Sequence, residues 1–148
     1  LRDSIRAFIE GGGPAYAECG GLMYLTRSIS WQGVCKPMVG VIPADTQVGQ
    51  RPVGRGYMQF RALAEHPWPM AAGAPDKIYN AHEFHSSHLE GLPESTSTVL
   101  SVERGYGLDG VRDGIHIHNL LATYVHQRHV QANPWVDAFS AFVRAQRT

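Results

Sequence analysis

The chain has 148 residues, of which 43% are hydrophobic and 18% charged, and its 13 basic and 13 acidic side chains balance to a formal charge of zero. This length allows one domain with its own core, and this composition excludes a disordered chain and a coiled coil. The balanced charge argues against a nucleic-acid-binding protein, and the sequence has no apolar stretch of about 18 residues to span a membrane.

The first 25 residues predict a helix, a strand and a second helix. Apolar residues recur at helical spacing over 1–10, and the glycines at 11–13 end that amphipathic helix. Residues 14–19 (PAYAEC) suit a buried strand, and Gly20 and Gly21 form a sharp turn into the next helix. Because the chain starts inside a helix, without an initiator Met or targeting segment, we expect it to be part of a longer protein.

Strands dominate the predicted middle of the chain, at 37–42, 56–62, 78–85, 98–103 and 114–118. A polar connection at 45–54 and a loop at 66–76, rich in Pro and Ala, separate the first three strands, and a glycine-rich turn at 103–114 joins the last two. Pro134 begins a final helix with an apolar stripe. This order predicts an α/β sheet between helices, with an antiparallel edge.

Cys19 is the most informative residue for chemistry, because it stands between the buried strand and the glycine turn. A nucleophile at such an elbow is lifted clear of the sheet, and a helix N-terminus would lower the pKa of its thiol. The N–H of Gly20 could stabilise an oxyanion. The alternative is a small buried apolar side chain, which describes most free cysteines.

Cys35, in a turn-like segment, is predicted to have no catalytic role. With only two cysteines and no signal peptide, the chain fits a reducing cytoplasm.

A thiolate needs a base, and His126 stands at the end of an apolar run at 120–125 where a sheet could present one. The alternative is a hydrogen-bonded core histidine. The other histidines include an H-x2-H-x2-H array and an H-x-H pair, which could bind a metal or simply be scattered polar positions (His82, His85, His88, His116 and His118). A zinc site needs three or four converging ligands, and the sequence has no Cys-x2-Cys pair, so we expect no metal.

Arg51 and Arg55 flank a Pro-Val-Gly segment and offer charge to a carboxylate ligand. A guanidinium holds a carboxylate through two parallel hydrogen bonds. The alternative for both is a solvated charge in a loop.

Four segments in this order resemble the cobyrinic acid a,c-diamide synthase family. They are YAECGGLMYL at 16–25, RGY at 55–57, HEFHS at 82–86 and ATYVH at 122–126. The resemblance covers the whole chain. It implies a class I-type glutamine amidotransferase domain with a flavodoxin-like, three-layer α/β fold and a mixed, mostly parallel sheet, lacking here its N-terminal strands.

The resemblance further implies that residues 1–148 form one domain, the C-terminal part of a larger synthetase. In that family the N-terminal half binds ATP and Mg²⁺ and activates a tetrapyrrole carboxylate, and the glutaminase half supplies ammonia and needs no cofactor. The implied substrate is cobyrinic or hydrogenobyrinic acid, with nickel sirohydrochlorin and sirohaem-type compounds as alternatives. A non-catalytic domain of the same fold is a further alternative.

By matched position, the resemblance makes Cys19 the nucleophile and His126 the base. Gly20 contributes the oxyanion N–H, Arg55 holds the glutamine α-carboxylate, and His85 and Ser86 belong to the glutamine pocket.

The chain departs from related amidotransferases beyond His126. Many of them have an acid two residues after the base, but this chain has Gln127 and Arg128, as the family's lack of that acid would suggest. A Cys–His dyad is therefore expected. The family's glycine-rich loop with the second oxyanion N–H would lie before residue 1. Since losing one such donor costs about 100- to 1000-fold in rate, the isolated chain is expected to be a poor glutaminase.

Overall fold

The computed structural model describes residues 1–68 and 76–146. Their helices and strands, in chain order, are α1 (Arg2–Glu10), β1 (Ala15–Glu18), α2 (Gly20–Leu25), β2 (Ser28–Trp31), β3 (Val34–Pro37), β4 (Asp45–Val48), β5 (Gly54–Ala62), β6 (Tyr79–His85), β7 (Ser87–Glu90), β8 (Thr98–Arg104), β9 (Arg112–Ile117), β10 (Leu120–Thr123) and α3 (Trp135–Ala145). Within these described residues, no helix is both long and apolar enough to cross a membrane.

The main sheet has six strands in the order β1-β10-β9-β8-β5-β6. Its β1–β10 pair is parallel, with Glu18 opposite Thr123, and its other pairs are antiparallel. The expected mixed sheet is confirmed, but the expectation that it is mostly parallel is wrong for the described residues. Short connections join β8, β9 and β10, and a short connection between neighbouring strands forces them antiparallel.

Helices cover both faces of this sheet, which confirms the predicted three-layer α/β fold. On one face, Ile9 of α1 and Leu22 of α2 pack with Leu120 of β10 in a buried cluster. On the other face, Phe139 and Phe142 of α3 pack against a second cluster that contains Leu121. Adjacent residues of β10 therefore point into opposite layers, as the alternation of a strand requires.

A second sheet, in the order β3-β2-β4-β7, was not anticipated from the sequence. The predicted strand at 37–42 is wrong, because β3 ends at Pro37 and the following segment bonds to the end of α2 and the residues after it. Val39 and Ile42 are fully buried there. The predicted polar connection at 45–54 is also wrong in part, since it contains β4, in which buried Thr46 contacts Thr26 at 2.9 Å between hydroxyl oxygens.

The remaining predicted elements are confirmed within a few residues, including the first two helices, β1, β5, β6, β8, β9 and α3. Gly12, with φ of +83°, supplies the left-handed turn after α1. The predicted loop at 66–76 lies largely outside the described residues.

Candidate active site

The backbone turns sharply at Cys19, between the end of β1 and the start of α2. Cys19 has φ of 45° and ψ of −99°, a conformation that side chains other than glycine seldom adopt. Its N–H donates to the Thr123 carbonyl at 2.7 Å, so the turn is fastened to the end of β10. Such strain costs about 1–3 kcal/mol and persists only where the surroundings enforce it. The predicted elbow is present.

The Cys19 thiol is half-buried and not sealed in hydrocarbon. Its Sγ lies 3.7 Å from the Phe84 carbonyl oxygen of β6. Beside it, Gly20 faces open space, because no atom would lie within 4 Å of an added Cβ. A small molecule therefore has room beside Gly20, the residue that follows Cys19.

The expectation of a lowered thiol pKa at Cys19 is wrong. Burial raises the pKa of Cys19 above its ordinary value, and the carboxylates of Glu18 and Asp113 raise it further. The N–H of Gly20 acts in the opposite direction but does not prevail. The physical reason is that α2 has only six residues, so its N-terminus offers little field against burial and two carboxylates.

His126 lies three residues beyond the end of β10 and is held by backbone hydrogen bonds. Its N–H donates to the His82 carbonyl at 2.8 Å, and the His82 N–H donates back to the His126 carbonyl at 3.3 Å. The buried Asp113 carboxylate accepts the N–H groups of Tyr124 and Val125, which fixes the approach to His126. The His126 side chain keeps 29% of its surface exposed, so it is not a sealed core histidine.

Cys19 and His126 lie beside the same strand. The sulfur contacts the backbone of Phe84, and His126 pairs with His82 two residues earlier on β6. Glu18, the residue before Cys19, also contacts the His126 ring, with Oε2 3.5 Å from Nδ1. Both residues therefore lie near the carboxyl ends of the parallel pair β1–β10, where α/β sheets place their active sites.

Glu18 is the residue of this site that the sequence analysis missed. Its Oε1 accepts hydrogen bonds from the Tyr16 hydroxyl at 2.7 Å and from the Gln127 N–H at 2.9 Å. The sequence does place Glu18 next to the nucleophile, because Tyr16 and Glu18 share one face of the strand that ends just before Cys19. What the sequence did not show was that β10 pairs with β1 in a register that carries His126 to this carboxylate.

Arg55 is exposed on β5, opposite Phe84 of β6. Because Phe84 also meets the Cys19 sulfur, Arg55 lies on the strand pair that borders the cysteine. Arg51 is exposed in the bend before this strand.

His85 does not lie where glutamine could reach it, so its expected place in the pocket is not supported. Its side chain is only 1% exposed, and its Nδ1 contacts the Ser87 carbonyl at 2.9 Å. Its Nε2 lies 3.3 Å from the buried Glu83 carboxylate, and its ring stacks on Tyr124 at 3.9 Å. His85 therefore packs in the interior next to the site and has a structural role. Ser86 is half-buried at the bend where the chain passes from β6 to β7, and its carbonyl accepts the Gly49 N–H at 2.6 Å.

The histidine array does not converge. His82 is exposed on β6, His85 points into the interior, and His88 contacts Glu90 on β7. In residues 1–68 and 76–146, no three His, Cys, Asp or Glu side chains are grouped to hold a metal ion.

Cys35 lies exposed on β3 as a free thiol, and hydrogen bonding to Ser30 and Ser28 lowers its pKa.

Comparison with known proteins gives a consistent family. The model of the CobB/CobQ-like glutamine amidotransferase domain matches residues 1–134. The chain is 38% identical over 143 residues to a cobyrinate a,c-diamide synthase of Magnetococcus marinus, covering 96% of this chain and 30% of the relative. It is 39% identical over 126 residues to the synthase of that name from Archaeoglobus fulgidus, covering 85% of this chain and 26% of the relative. The chain thus spans less than a third of the length of these relatives.

Solved structures share the fold at low sequence identity. A glutamine amidotransferase structure superposes with a TM-score of 0.63 at 16% identity, covering 97% of this chain and 68% of the other. A glutamine amidotransferase of Thermotoga maritima gives a TM-score of 0.53 at 13% identity, covering 99% of this chain and 55% of the other. These similarities support the flavodoxin-like α/β fold.

Proposed function

Since this chain belongs to the CobB/CobQ-like glutamine amidotransferase domain family, we propose that it hydrolyses glutamine, with Cys19 as nucleophile and His126 as general base and acid. One observation carries the proposal. The strained, half-exposed Cys19 and the partly exposed His126 are fastened to the same stretch of β6, at the carboxyl ends of β1 and β10.

The reaction has two halves. Cys19, whose proton passes to His126, attacks the side-chain amide carbon, and the Gly20 N–H donates to the developing oxyanion. His126 then protonates the amide nitrogen, the C–N bond breaks, ammonia leaves, and a thioester remains on Cys19. Water, deprotonated by His126, attacks the thioester carbon and releases glutamate, and the thiol regains its proton. The raised pKa of Cys19 makes this proton transfer to His126 necessary, because few free thiolates exist beforehand.

Arg55 is our candidate for binding the glutamine α-carboxylate. It is exposed on the strand pair that borders the sulfur, and none of the ion pairs within the described residues engages it. Its guanidinium can offer two parallel hydrogen bonds to a carboxylate. Half-buried Ser86 stays a candidate for the pocket, and buried His85 packs in the interior next to it.

In the whole protein, we propose that the released ammonia amidates tetrapyrrole carboxylates, with cobyrinic or hydrogenobyrinic acid as substrate. The names of the matched relatives support this reaction, and their greater length supports a separate synthetase domain as partner. ATP and Mg²⁺ would bind that domain, as the family resemblance implies. A cytoplasmic location fits a reaction that requires a reduced thiol. Weak activity of the 148-residue chain alone stays a prediction.

The test uses two thiol reagents on the full-length protein. A diazo-ketone analogue of glutamine should label Cys19 and spare Cys35, because only Cys19 adjoins a glutamine pocket. Iodoacetamide should react first at Cys35, which is exposed and has the lower pKa. The matched variant Cys35→Ser should keep the analogue labelling and lose the early iodoacetamide product. Equal analogue labelling of both cysteines, or none, would contradict the proposal.

Cys19→Ser separates the two half-reactions. It should abolish amidation with glutamine and leave amidation with ammonium salts, because ligation takes place on the synthetase domain. Binding of glutamine without hydrolysis by the unaltered protein would instead indicate a non-catalytic domain.

A further inference from the structure

The base of the proposed reaction has an acid partner in an unexpected place. Many amidotransferases of this class carry that acid two residues after the histidine, where this chain has Arg128. In this structure Glu18 approaches the His126 ring instead, with Oε2 3.5 Å from Nδ1. Within the described residues, it is the one carboxylate within 4.0 Å of that ring.

We propose that Glu18 is the positioning residue for His126, so that the chain has a Cys–His–Glu triad whose acid immediately precedes its nucleophile. The proposal rests on the proposed glutaminase function. A carboxylate at Nδ1 holds the ring in one orientation and keeps the proton on that nitrogen. Nε2 is then left unprotonated, so it can take the proton of the Cys19 thiol and deliver it to the leaving ammonia.

The Glu18 carboxylate is itself held in place. Its Oε1 accepts the Tyr16 hydroxyl at 2.7 Å and the Gln127 N–H at 2.9 Å, which leaves Oε2 directed at His126. The Gln127 side chain extends the network, since its Nε2 donates to the Tyr16 hydroxyl at 2.9 Å. Its Oε1 accepts from Asn133 at 3.2 Å. A group whose rotamer is locked by such partners can fix the orientation of the ring it contacts.

Sheet register delivers this contact. Glu18 ends β1 opposite Thr123 of the parallel strand β10, and His126 follows Thr123 by three residues. Cys19, the residue that follows β1, donates its N–H to the Thr123 carbonyl. The same pairing therefore brings the acid to the base and fastens the nucleophile to Thr123, three residues before the base in the chain. The carboxylate is 25% exposed, so solvent screens part of its charge, and orientation is its main contribution.

The experiment compares Glu18→Gln with Tyr16→Phe in the full-length protein. Glu18→Gln keeps the shape of the side chain but removes its charge. It also replaces one carboxylate oxygen with an NH2 group, which cannot accept a hydrogen bond from Nδ1 of His126. It should lower kcat for glutamine hydrolysis by about 100-fold, the cost of a misplaced catalytic group, with KM changed less than about threefold. Tyr16→Phe removes a hydrogen bond to Oε1 but leaves Oε2 on His126, so kcat should fall less than about fivefold.

A spectroscopic readout separates positioning from a structural role. In protein with ¹⁵N-labelled histidine, the His126 signals, identified by their loss in His126→Asn, should show the proton on Nδ1. In Glu18→Gln this preference should be lost, while Tyr16→Phe should keep it. If Glu18→Gln does not fold, Glu18→Asp retains the charge with a shorter reach and should lower kcat with the tautomer only partly shifted.

The outcomes distinguish the two proposals. Unchanged His126 signals in Glu18→Gln, or equal kcat in Glu18→Gln and Tyr16→Phe, would overturn the role of Glu18 and leave the glutaminase function standing. An unaltered protein that neither hydrolyses glutamine nor reacts with the glutamine analogue would overturn the function itself. In that case the nitrogen spectrum still decides whether Glu18 sets the His126 tautomer.

Discussion

The rings of His82 and His126 stack with their centroids 4.9 Å apart and their planes 11° from parallel. Their backbones also exchange two hydrogen bonds, although β6 and β10 are not neighbours in the main sheet. The chain after β10 thus crosses to the edge strand β6 and binds it at one residue pair. The proposed base, His126, is therefore held by the His82 ring and backbone and by the Glu18 carboxylate at its Nδ1.

Removing the His82 ring should therefore loosen the base without breaking its backbone bonds. We expect His82→Ala to lower kcat for glutamine hydrolysis by about tenfold, because a ring stack contributes about 0.5–1.5 kcal/mol and positions its partner. His82→Phe keeps a flat ring and should retain most of the activity. Steady-state kinetics of both variants provides the check, and equal impairment would show that the polarity of His82, and not its stacking, matters.

The strain at Cys19 should be measurable as stability. Cys19→Gly removes the steric cost of φ 45° and ψ −99°, so the free energy of unfolding should rise by about 1 kcal/mol relative to Cys19→Ala. Both variants lack the thiol, so their difference isolates the backbone. Gln32, with φ of 48° in the turn between β2 and β3, is the control. Gln32→Gly should leave glutamine hydrolysis unchanged. Urea unfolding curves of Cys19→Gly and Cys19→Ala measure the difference in their free energies of unfolding. Equal stability of the two Cys19 variants would argue against strain.

Arg55 and Arg51 form a matched pair for substrate binding. If Arg55 holds the glutamine α-carboxylate, Arg55→Ala should raise KM for glutamine by about 10- to 100-fold, which corresponds to a lost charge-assisted hydrogen bond of about 1.5–3 kcal/mol. Arg55→Lys should recover part of that loss, since it restores charge without the two-pronged geometry. Arg51→Ala should stay within about twofold of the unaltered protein. Initial rates over a range of glutamine concentrations decide the matter, and similar effects at both positions would refute the assignment.

Asp113 should make stability depend on pH. Burial raises its pKa to about 6, although the N–H groups of Tyr124, Gly114 and Val125 oppose the shift. Between about pH 4 and 6 the folded state then binds more protons than the unfolded state, so this residue's contribution to stability falls as the pH rises. Asp113→Asn removes that contribution, so the advantage of the unaltered protein over the variant should shrink from pH 4 to pH 7.

Urea unfolding at several pH values tests this, and an advantage that grows with pH would contradict it. The comparison between the two proteins is needed because burial lowers the pKa of His66 to about 4, which gives a slope of the opposite sign in both.

The amino-acid sequence by itself determined the strand, the sharp turn and the helix around Cys19, because neighbouring residues produce these features through alternation, glycine and helical spacing. It also determined the family, through four short segments in order. Only the tertiary structure decided that Glu18 contacts His126, that His82 stacks beneath it, and that His85 is buried. Those contacts depend on the register of strands far apart in the chain; the bond between Glu18 and Gln127 spans 109 residues. No local pattern encodes such a register, since the packing of the whole sheet selects it.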